Sequence, residues 1–197
     1  MAKRGLDLLL ATLGLLLVWP LLAGAALWIR LDSPGPVLFR QERVGRRGRP
    51  FRILKFRTMR ETAEPGRQIT VGQDPRITRS GRWLRASKLD ELPQLFNVLK
   101  GEMSFVGPRP EVPRYVAFYT EEERRVLELR PGITDLASIK YRHEAEILAA
   151  AADPERTYVD EVMRDKLRIN LEYARRAGLK ADLGVILATL GALFKRH

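Results

Sequence analysis

Cysteine is absent from the 197-residue chain. This excludes a disulfide framework and any thiolate metal site, and it suits a reducing, cytoplasmic setting. Histidine is almost absent as well, with two residues and no Glu-x-x-His or His-rich pattern, so an imidazole-based metal centre lacks ligands. His143, between Arg142 and Glu144, reads as a surface residue. There is no internal repeat, no low-complexity tract, and no helix-turn-helix, zinc-finger or RNP signature. Acidic residues are in the minority, 24 against 35 Lys and Arg, for a formal charge of +11. That excess says nothing about fold. It narrows the partners to nucleic acid, anionic lipid headgroups or a phosphorylated substrate, and the apolar N-terminus favours the last two.

That N-terminus is the long hydrophobic feature of the chain. Lys3 and Arg4 precede an uncharged run from Leu8 to Ile29. As a helix it reaches about 33 Å, enough for the hydrocarbon core of a bilayer. No small-x-small cleavage site follows it, which argues against a signal peptide. Pro20 removes a helical hydrogen bond in mid-run and predicts a kink or break. Basic residues flank both sides: Lys3 and Arg4 before, Arg30, Arg40 and Arg43 after. If both flanks stay on one side, the helix enters and leaves by the same face. A kinked spanning helix fits the residues equally well.

Asp32-Ser33-Pro34-Gly35-Pro36 is a turn cluster. It divides the chain into an apolar helix over 1–33 and a globular part over 34–197. Val37 to Gln41 and Phe51 to Phe56 are β-prone runs around Gly45-Arg46-Arg47-Gly48, which predicts a hairpin. Arginines crowd this hairpin, either as a solvated face or as an attraction for anionic headgroups. Thr62 to Gln73 reads as a polar loop, Asp74 as an Asx turn, and Gly81 to Arg85 as a short helix. Glu102 to Val106 reads as an irregular link, Glu111 to Leu129 as a helix, and Arg130 to Thr134 as a rigid turn. Asp153-Pro154 opens a further helix. Ala181 to Phe194 is an apolar helix too short to span comfortably, either core-packed or lying in the membrane interface.

The most informative stretch is Leu89-Asp90-Glu91-Leu92-Pro93-Gln94. Leu92, Leu95, Phe96 and Leu99 recur at helical spacing. Pro93 is tolerated only in a first turn, which predicts a helix start near Asp90, and Gly101 suits its end. Two adjacent carboxylates then sit at the positive end of a helix dipole, whose field favours the ionised form. The bland alternative is an ordinary N-cap and a first-turn acid. The neighbours point further: Arg82, Arg85 and Lys88 lie just upstream, and the Gly107-Pro108-Arg109-Pro110 turn presents a guanidinium just downstream. Acids, arginines and a helix N-terminus together suit a metal-bound phosphate.

With Lys55-Phe56-Arg57-Thr58-Met59 and Arg130-Pro131-Gly132-Ile133-Thr134, these motifs resemble the bacterial sugar transferases, the monotopic phosphoglycosyl transferases, over nearly the whole chain. The resemblance implies a mainly α fold with a small β-hairpin, a re-entrant membrane helix over 1–33 broken at Pro20, a cytoplasmic, membrane-associated catalytic domain over 34–197, and interfacial amphipathic helices. It implies transfer of a sugar-1-phosphate from a nucleoside diphosphate sugar, most often a UDP-sugar, to polyprenyl phosphate. This is the first membrane step of glycoconjugate assembly, on the cytoplasmic face of the bacterial inner membrane. Asp90 would be the nucleophile, and Glu91 with Asp90 would hold Mg²⁺. Lys55, Arg57, Arg85, Arg109 and Arg142 would bind substrate phosphates. Anionic lipids are expected partners and nucleic acid is not; oligomeric state, a homodimer included, is left open. Two departures stand out: Trp19-Pro20 where the family has Ser-Pro, and Asp135-Leu136 with Lys140-Tyr141-Arg142 where one version has Gly-Trp and Asn-Gly-Arg. The competing readings are a basic membrane-tethered nucleic-acid-binding protein and a membrane-surface scaffold.

Overall fold

The computed structural model describes residues 2–60, 69, 71–72 and 74–194, so most of the polar stretch from Thr62 to Gln73 lies outside the described residues. Helix α1 runs Ala2–Asp32. Its inward positions are Ala11, Leu15, Val18, Leu22, Ala25 and Ile29, a three-four spacing that makes one narrow stripe. That stripe packs along the globular body for nearly its whole length. Ala11, Leu15 and Val18 meet Phe51, Ile53, Leu95 and Val98. Leu22, Ala25 and Ile29 meet Phe56 and Leu84. The other faces are apolar but uncovered: Leu9, Leu13, Leu16, Leu17, Trp19, Leu27 and Leu31 are all exposed.

Both ends of α1 are tied to the same body. At the start, Lys3 Nζ donates to Val106 O and pairs with Asp182. Arg4 donates to the carbonyls of Val98 and Leu99. Asp7, buried, accepts from Ser104 Oγ and Phe105 N. At the end, Asp32 Oδ2 accepts from the N–H and hydroxyl of Ser80 at 2.8 Å. The expected break at Pro20 is not seen, since α1 is one continuous element across it. Proline forfeits a hydrogen bond there, and Val18 and Leu22 on either side of it both pack on the globular body.

The hairpin is as predicted. Strands β1 (Leu38–Val44) and β2 (Pro50–Phe56) pair antiparallel, Leu38 opposite Phe56 and Val44 opposite Pro50. Helix α2 (Arg79–Ala86) follows, capped by Thr78, whose side chain accepts from Gly81 N. A Cβ on Gly81 would meet Thr58 O at 2.1 Å, so only glycine lets α2 lie this close to the strand end. The acidic stretch differs from the expected helix start. Leu89–Glu91 is a 3₁₀ turn entered through Lys88 in the left-handed region at φ 58, and α3 (Gln94–Lys100) begins only after Pro93. Gly101 ends α3 at φ 85, as expected.

The two glycine-proline motifs turn out to be neighbours. The stretches read as an irregular link and a rigid turn contain strands β3 (Ser104–Val106) and β4 (Gly132–Thr134), paired parallel. Gly107 and Gly132 touch: a Cβ on Gly132 would lie 2.1 Å from Gly107 N, and one on Gly107 would lie 2.2 Å from Arg130 O. Two three-residue strands carry too little periodicity to be read from sequence. The single helix expected over Glu111 to Leu129 is instead α4 (Pro113–Val116), α5 (Glu121–Arg124) and a 3₁₀ turn. Pro113 starts the first and a Thr120–Glu123 capping box starts the second.

Helices α6 (Leu136–Lys140) and α7 (Glu144–Ala149) precede α8 (Pro154–Thr157), capped by Asp153 as predicted. It runs through a π segment, Tyr158–Val162, into α9 (Met163–Arg176). The largest core cluster gathers Tyr115, Tyr119, Val126, Leu148, Tyr158, Val162 and Leu167 from these elements. Helix α10 (Leu179–Phe194) packs Val185 beside Val106 and Tyr173, while Leu183, Leu187 and Leu190 face outward.

Candidate active site

Four elements converge on the acidic 3₁₀ turn. Asn97, fully buried on α3, accepts from Leu54 N at 3.0 Å and donates to Arg52 O at 2.9 Å, binding α3 to β2. Lys55, next along that strand, thereby reaches Glu91 Oε1 at 3.0 Å. From the opposite side the Pro108-Arg109-Pro110 turn presents its guanidinium to the same carboxylate. Arg109 Nη1 donates to Oε2 at 3.1 Å and Nη2 to Oε1. Burial works against ionising Glu91, yet Arg109 and Lys55 hold its carboxyl well below the usual carboxylate range. The same pairing raises the guanidinium of Arg109.

Asp90 has the opposite environment. It is 8% exposed, and its Oδ1 is buried without a hydrogen-bond partner. Burial, then the charge of Glu91, pushes its carboxyl above the ordinary value, against Lys55, Lys88 and Arg85. Burial and Glu91 therefore prevail over the ionisation expected from a helix dipole, and Asp90 precedes α3 in a tight turn rather than opening it. Burial, then Arg109, lowers the Lys55 ammonium to about 8. Arg85 stands beside the pair, its Nε on Thr58 Oγ1 at 2.9 Å and its charge coupled most strongly to Asp90.

Of the remaining members of the expected set, Arg57 is turned elsewhere and Arg142 lies on an exposed turn. Arg57 is buried and turned toward the end of α1, where it donates to the carbonyls of Ser33 and Pro34 and to Ser33 Oγ. Its guanidinium locks the α1–β1 turn, so the expectation that it faces the carboxylate pair gives way to a structural role. Arg142 is exposed on the turn between α6 and α7, and it is not among the charges acting most strongly on either carboxylate.

Other residues at the site were not singled out from the sequence. Arg43 donates to Pro110 O, Glu111 Oε1 and Gln41 Oε1, and Glu111 also accepts from Tyr158 Oη. Val44 N bonds to Glu111 O at 2.9 Å. These contacts nail the Arg109 turn to β1. The two-residue period of the strand was the available signal: Phe39 lies opposite Lys55, so Gln41 and Arg43 belong to the face that carries Lys55. Asp135, 3% exposed, caps α6 through Ser138 and adds to the field on Arg109. Behind Arg109 a cavity of about 50 Å³ is lined by Glu111, Asp135, Lys166 and Asn170, room enough for water.

Among the described residues no three His, Cys, Asp or Glu side chains converge on a common point, so these residues by themselves form no metal cage. The donor set suits Mg²⁺, which prefers one or two carboxylates completed by substrate phosphates. Asp90 Oδ1 is free, and one lone pair of Glu91 Oε2 remains beside Arg109.

A buried carboxylate with one unpartnered oxygen, in the field of Lys55, Lys88 and Arg85 and next to an arginine anchored by Glu91, is chemistry suited to a phosphorylated ligand. Comparison with known proteins agrees. The family described as bacterial sugar transferase matches residues 1–196. A UDP-glucose:undecaprenyl-phosphate glucose-1-phosphate transferase of Caulobacter vibrioides is 42% identical over 97% of this chain and 69% of its own length. An Escherichia coli protein of the same description is 39% identical over 95% of this chain and 39% of its own. A UDP-N-acetylgalactosamine-undecaprenyl-phosphate N-acetylgalactosaminephosphotransferase of Aeromonas hydrophila is 39% identical over 95% of this chain and 42% of its own. The chain thus spans about two thirds of the first relative and about two fifths of the other two. Site, motifs and a match running from one end of the chain almost to the other agree: this chain belongs to the bacterial sugar transferase family.

Proposed function

We propose that the chain transfers a sugar-1-phosphate from a UDP-sugar to polyprenyl phosphate through an ester on Asp90. The observation that carries this reading is the unpartnered Oδ1 of Asp90 in a ring of cations. In the first step Oδ1 bonds to the β-phosphorus of the donor. The bond from that phosphorus to the oxygen bridging the two phosphates breaks, and UMP leaves with the electron pair. In the second step a phosphate oxygen of the polyprenyl acceptor bonds to the same phosphorus, and the aspartyl oxygen is released as carboxylate. Two displacements at one carboxylate let a soluble and a lipidic substrate use one site in turn.

The neighbouring residues support this reading. Asp90 is already desolvated, so it sheds little water on attack. Its difficulty is the like charge of the diphosphate. Arg109, held in register by both oxygens of Glu91, and Arg85 offer donors suited to phosphate oxygens. Lys55 adds a point charge between the two carboxylates. Asp90 and Glu91 would hold Mg²⁺, which would supply charge neutralisation at the phosphates. Incubation of the reconstituted chain with polyprenyl phosphate, Mg²⁺ and a panel of UDP-sugars should release UMP with at least one of them and stop on chelation. Absence of UMP across the panel would refute the reading. The panel is needed because relatives of similar identity are named for glucose and for N-acetylgalactosamine.

Lys55 makes the site sensitive to alkali. With its ammonium lowered to about 8, kcat/KM of the free enzyme should fall above that pH as the charge is lost. Stability should move the other way. The unfolded chain keeps this proton up to about 10.5 while the folded one releases it near 8, so this group's contribution to stability rises between those values. Lys55→Arg should abolish the alkaline limb, measured as kcat/KM against pH.

We place α1 in the bilayer with both ends on the cytoplasmic side. The support is that Lys3, Arg4 and Asp7 at one end and Asp32 at the other bind the same globular body, while the outward leucines are uncovered. The outward leucines of α10 suit the interface beside it. Because the chain has no cysteine, single cysteines at positions 2 and 40 report topology without background. Both should be modified by an impermeant thiol reagent from the cytoplasmic side alone; modification of position 2 from the opposite side would establish a spanning helix.

A further inference from the structure

We propose that a depression at the tip of the β1–β2 hairpin binds the phosphate headgroup of an anionic glycerophospholipid. The depression measures about 350 Å³ and is walled by Arg46, Arg47, Arg49, Lys100 and Arg130, with Phe51 among its other residues. Glu102 is its single acid, and that carboxylate is turned to Asn97 Nδ2 at 2.7 Å. Many cations elsewhere on the domain are paired: Arg43, Lys55, Arg109, Arg114, Lys140, Arg164, Lys166 and Arg168 each meet a carboxylate. Among the described residues, none of the five around the depression has such a partner. Arg46 uses only Nε, on Glu128 O at 2.8 Å, which leaves its two terminal nitrogens for a ligand. Arg47 is held in the left-handed region at φ 58, where a bulky side chain is disfavoured. Five unneutralised cations around one concavity repel one another, and an anion relieves that repulsion.

The position identifies the anion. The depression borders the C-terminal end of α3, where Lys100, Gly101 and Glu102 form part of its wall. Arg4 bonds to the Val98 and Leu99 carbonyls at that same end. Arg4 also opens α1, whose next turns expose Leu9, Leu13, Leu16 and Leu17. The depression therefore lies where an uncovered apolar helix begins, which is the level of the headgroups. The donor's phosphates belong to the other end of α3, about 10 Å away along the helix. A headgroup held here fixes one end of α3 at the membrane surface and so sets the height of Asp90 at its other end. The site goes beyond the transfer reaction and depends on neither donor nor acceptor.

The test reads binding rather than turnover. The full chain in detergent is titrated with dihexanoyl phosphatidylglycerol, with dihexanoyl phosphatidylcholine and with inorganic phosphate, following the Gly48 and Gly101 amides by NMR. A saturable shift with phosphatidylglycerol alone is expected. Arg47→Gly with Arg49→Gln and Lys100→Gln should weaken it roughly hundredfold, while Arg47→Lys with Arg49→Lys and Lys100→Arg should retain it. Equal response to phosphatidylcholine would overturn the proposal, as would equal response to inorganic phosphate, which would assign the site to the free ion. The wild-type comparison among the three ligands decides the matter by itself if the triple variant fails to fold.

Discussion

Asp90→Asn should lose transfer activity by at least about a thousandfold while the protein becomes more stable. The two effects share one cause. Asp90 is buried with an oxygen that has no partner, and burial with the neighbouring Glu91 pushes its carboxyl up. A raised carboxyl is one whose ionised form the fold disfavours. Its contribution is therefore most favourable at acid pH and is eroded as pH rises from 3.8 through the folded value. Asparagine removes that cost at neutral pH and, with it, the nucleophile. Single-turnover release of UMP from a UDP-sugar, read beside thermal unfolding in the same detergent, checks both. A variant that is more stable and still releases UMP at the wild-type rate would remove Asp90 as the attacking group.

Glu91→Gln should do the reverse to stability. Glu91 pairs with both Lys55 and Arg109, and its side chain is largely shielded from water. Taking away its charge leaves two cations facing each other, with a loss of about 3 kcal/mol, the low end for a broken buried pair because Arg109 still reaches solvent. The pH dependence carries a signature. The folded carboxyl lies well below 4.5, so its contribution is complete above that value and is lost as pH falls through the folded one. In the variant this acid-side loss should disappear from a plot of unfolding midpoint against pH. Activity should fall about a hundredfold or more, since Arg109 and Lys55 are no longer held in register and displacements near 1 Å have that effect. If stability and its acid dependence both match wild type, the Lys55–Glu91–Arg109 cluster is not formed in solution.

The pairing of these two substitutions separates adjacent carboxylates that look interchangeable in sequence. One is an anchor whose charge is neutralised twice. The other is held without a partner. Tolerance of such a group is the usual mark of a functional site, where stability gives way to reactivity.

What could be read from the residues in order follows from local rules. The apolar run announced α1, the Gly-rich turn announced the hairpin, Asp153-Pro154 announced a helix start, and Asp74 announced its Asx turn, which the Arg76 N–H completes at 3.0 Å. The motifs also supplied residues that the fold gathers, since Lys55, Arg85, Asp90, Glu91 and Arg109 do come together. Where the reading failed, the deciding contact was distant in sequence. Arg57 matched a motif but is captured by the Ser33 and Pro34 carbonyls. Pro20 lies within one continuous helix that is packed on the body to both sides of it.

Sequence alone thus determined the elements with strong periodicity or strong punctuation, and the set of charged residues from which the site is drawn. Tertiary structure decided what each charge is for. Whether a carboxylate is paired or left without a partner depends on which guanidinium reaches it. That in turn depends on the buried Asn97 joining α3 to β2, and on the Gly107–Gly132 contact joining two motifs far apart in the chain. Burial and pairing set the energy of a charge, and neither is a property of the residue that carries it.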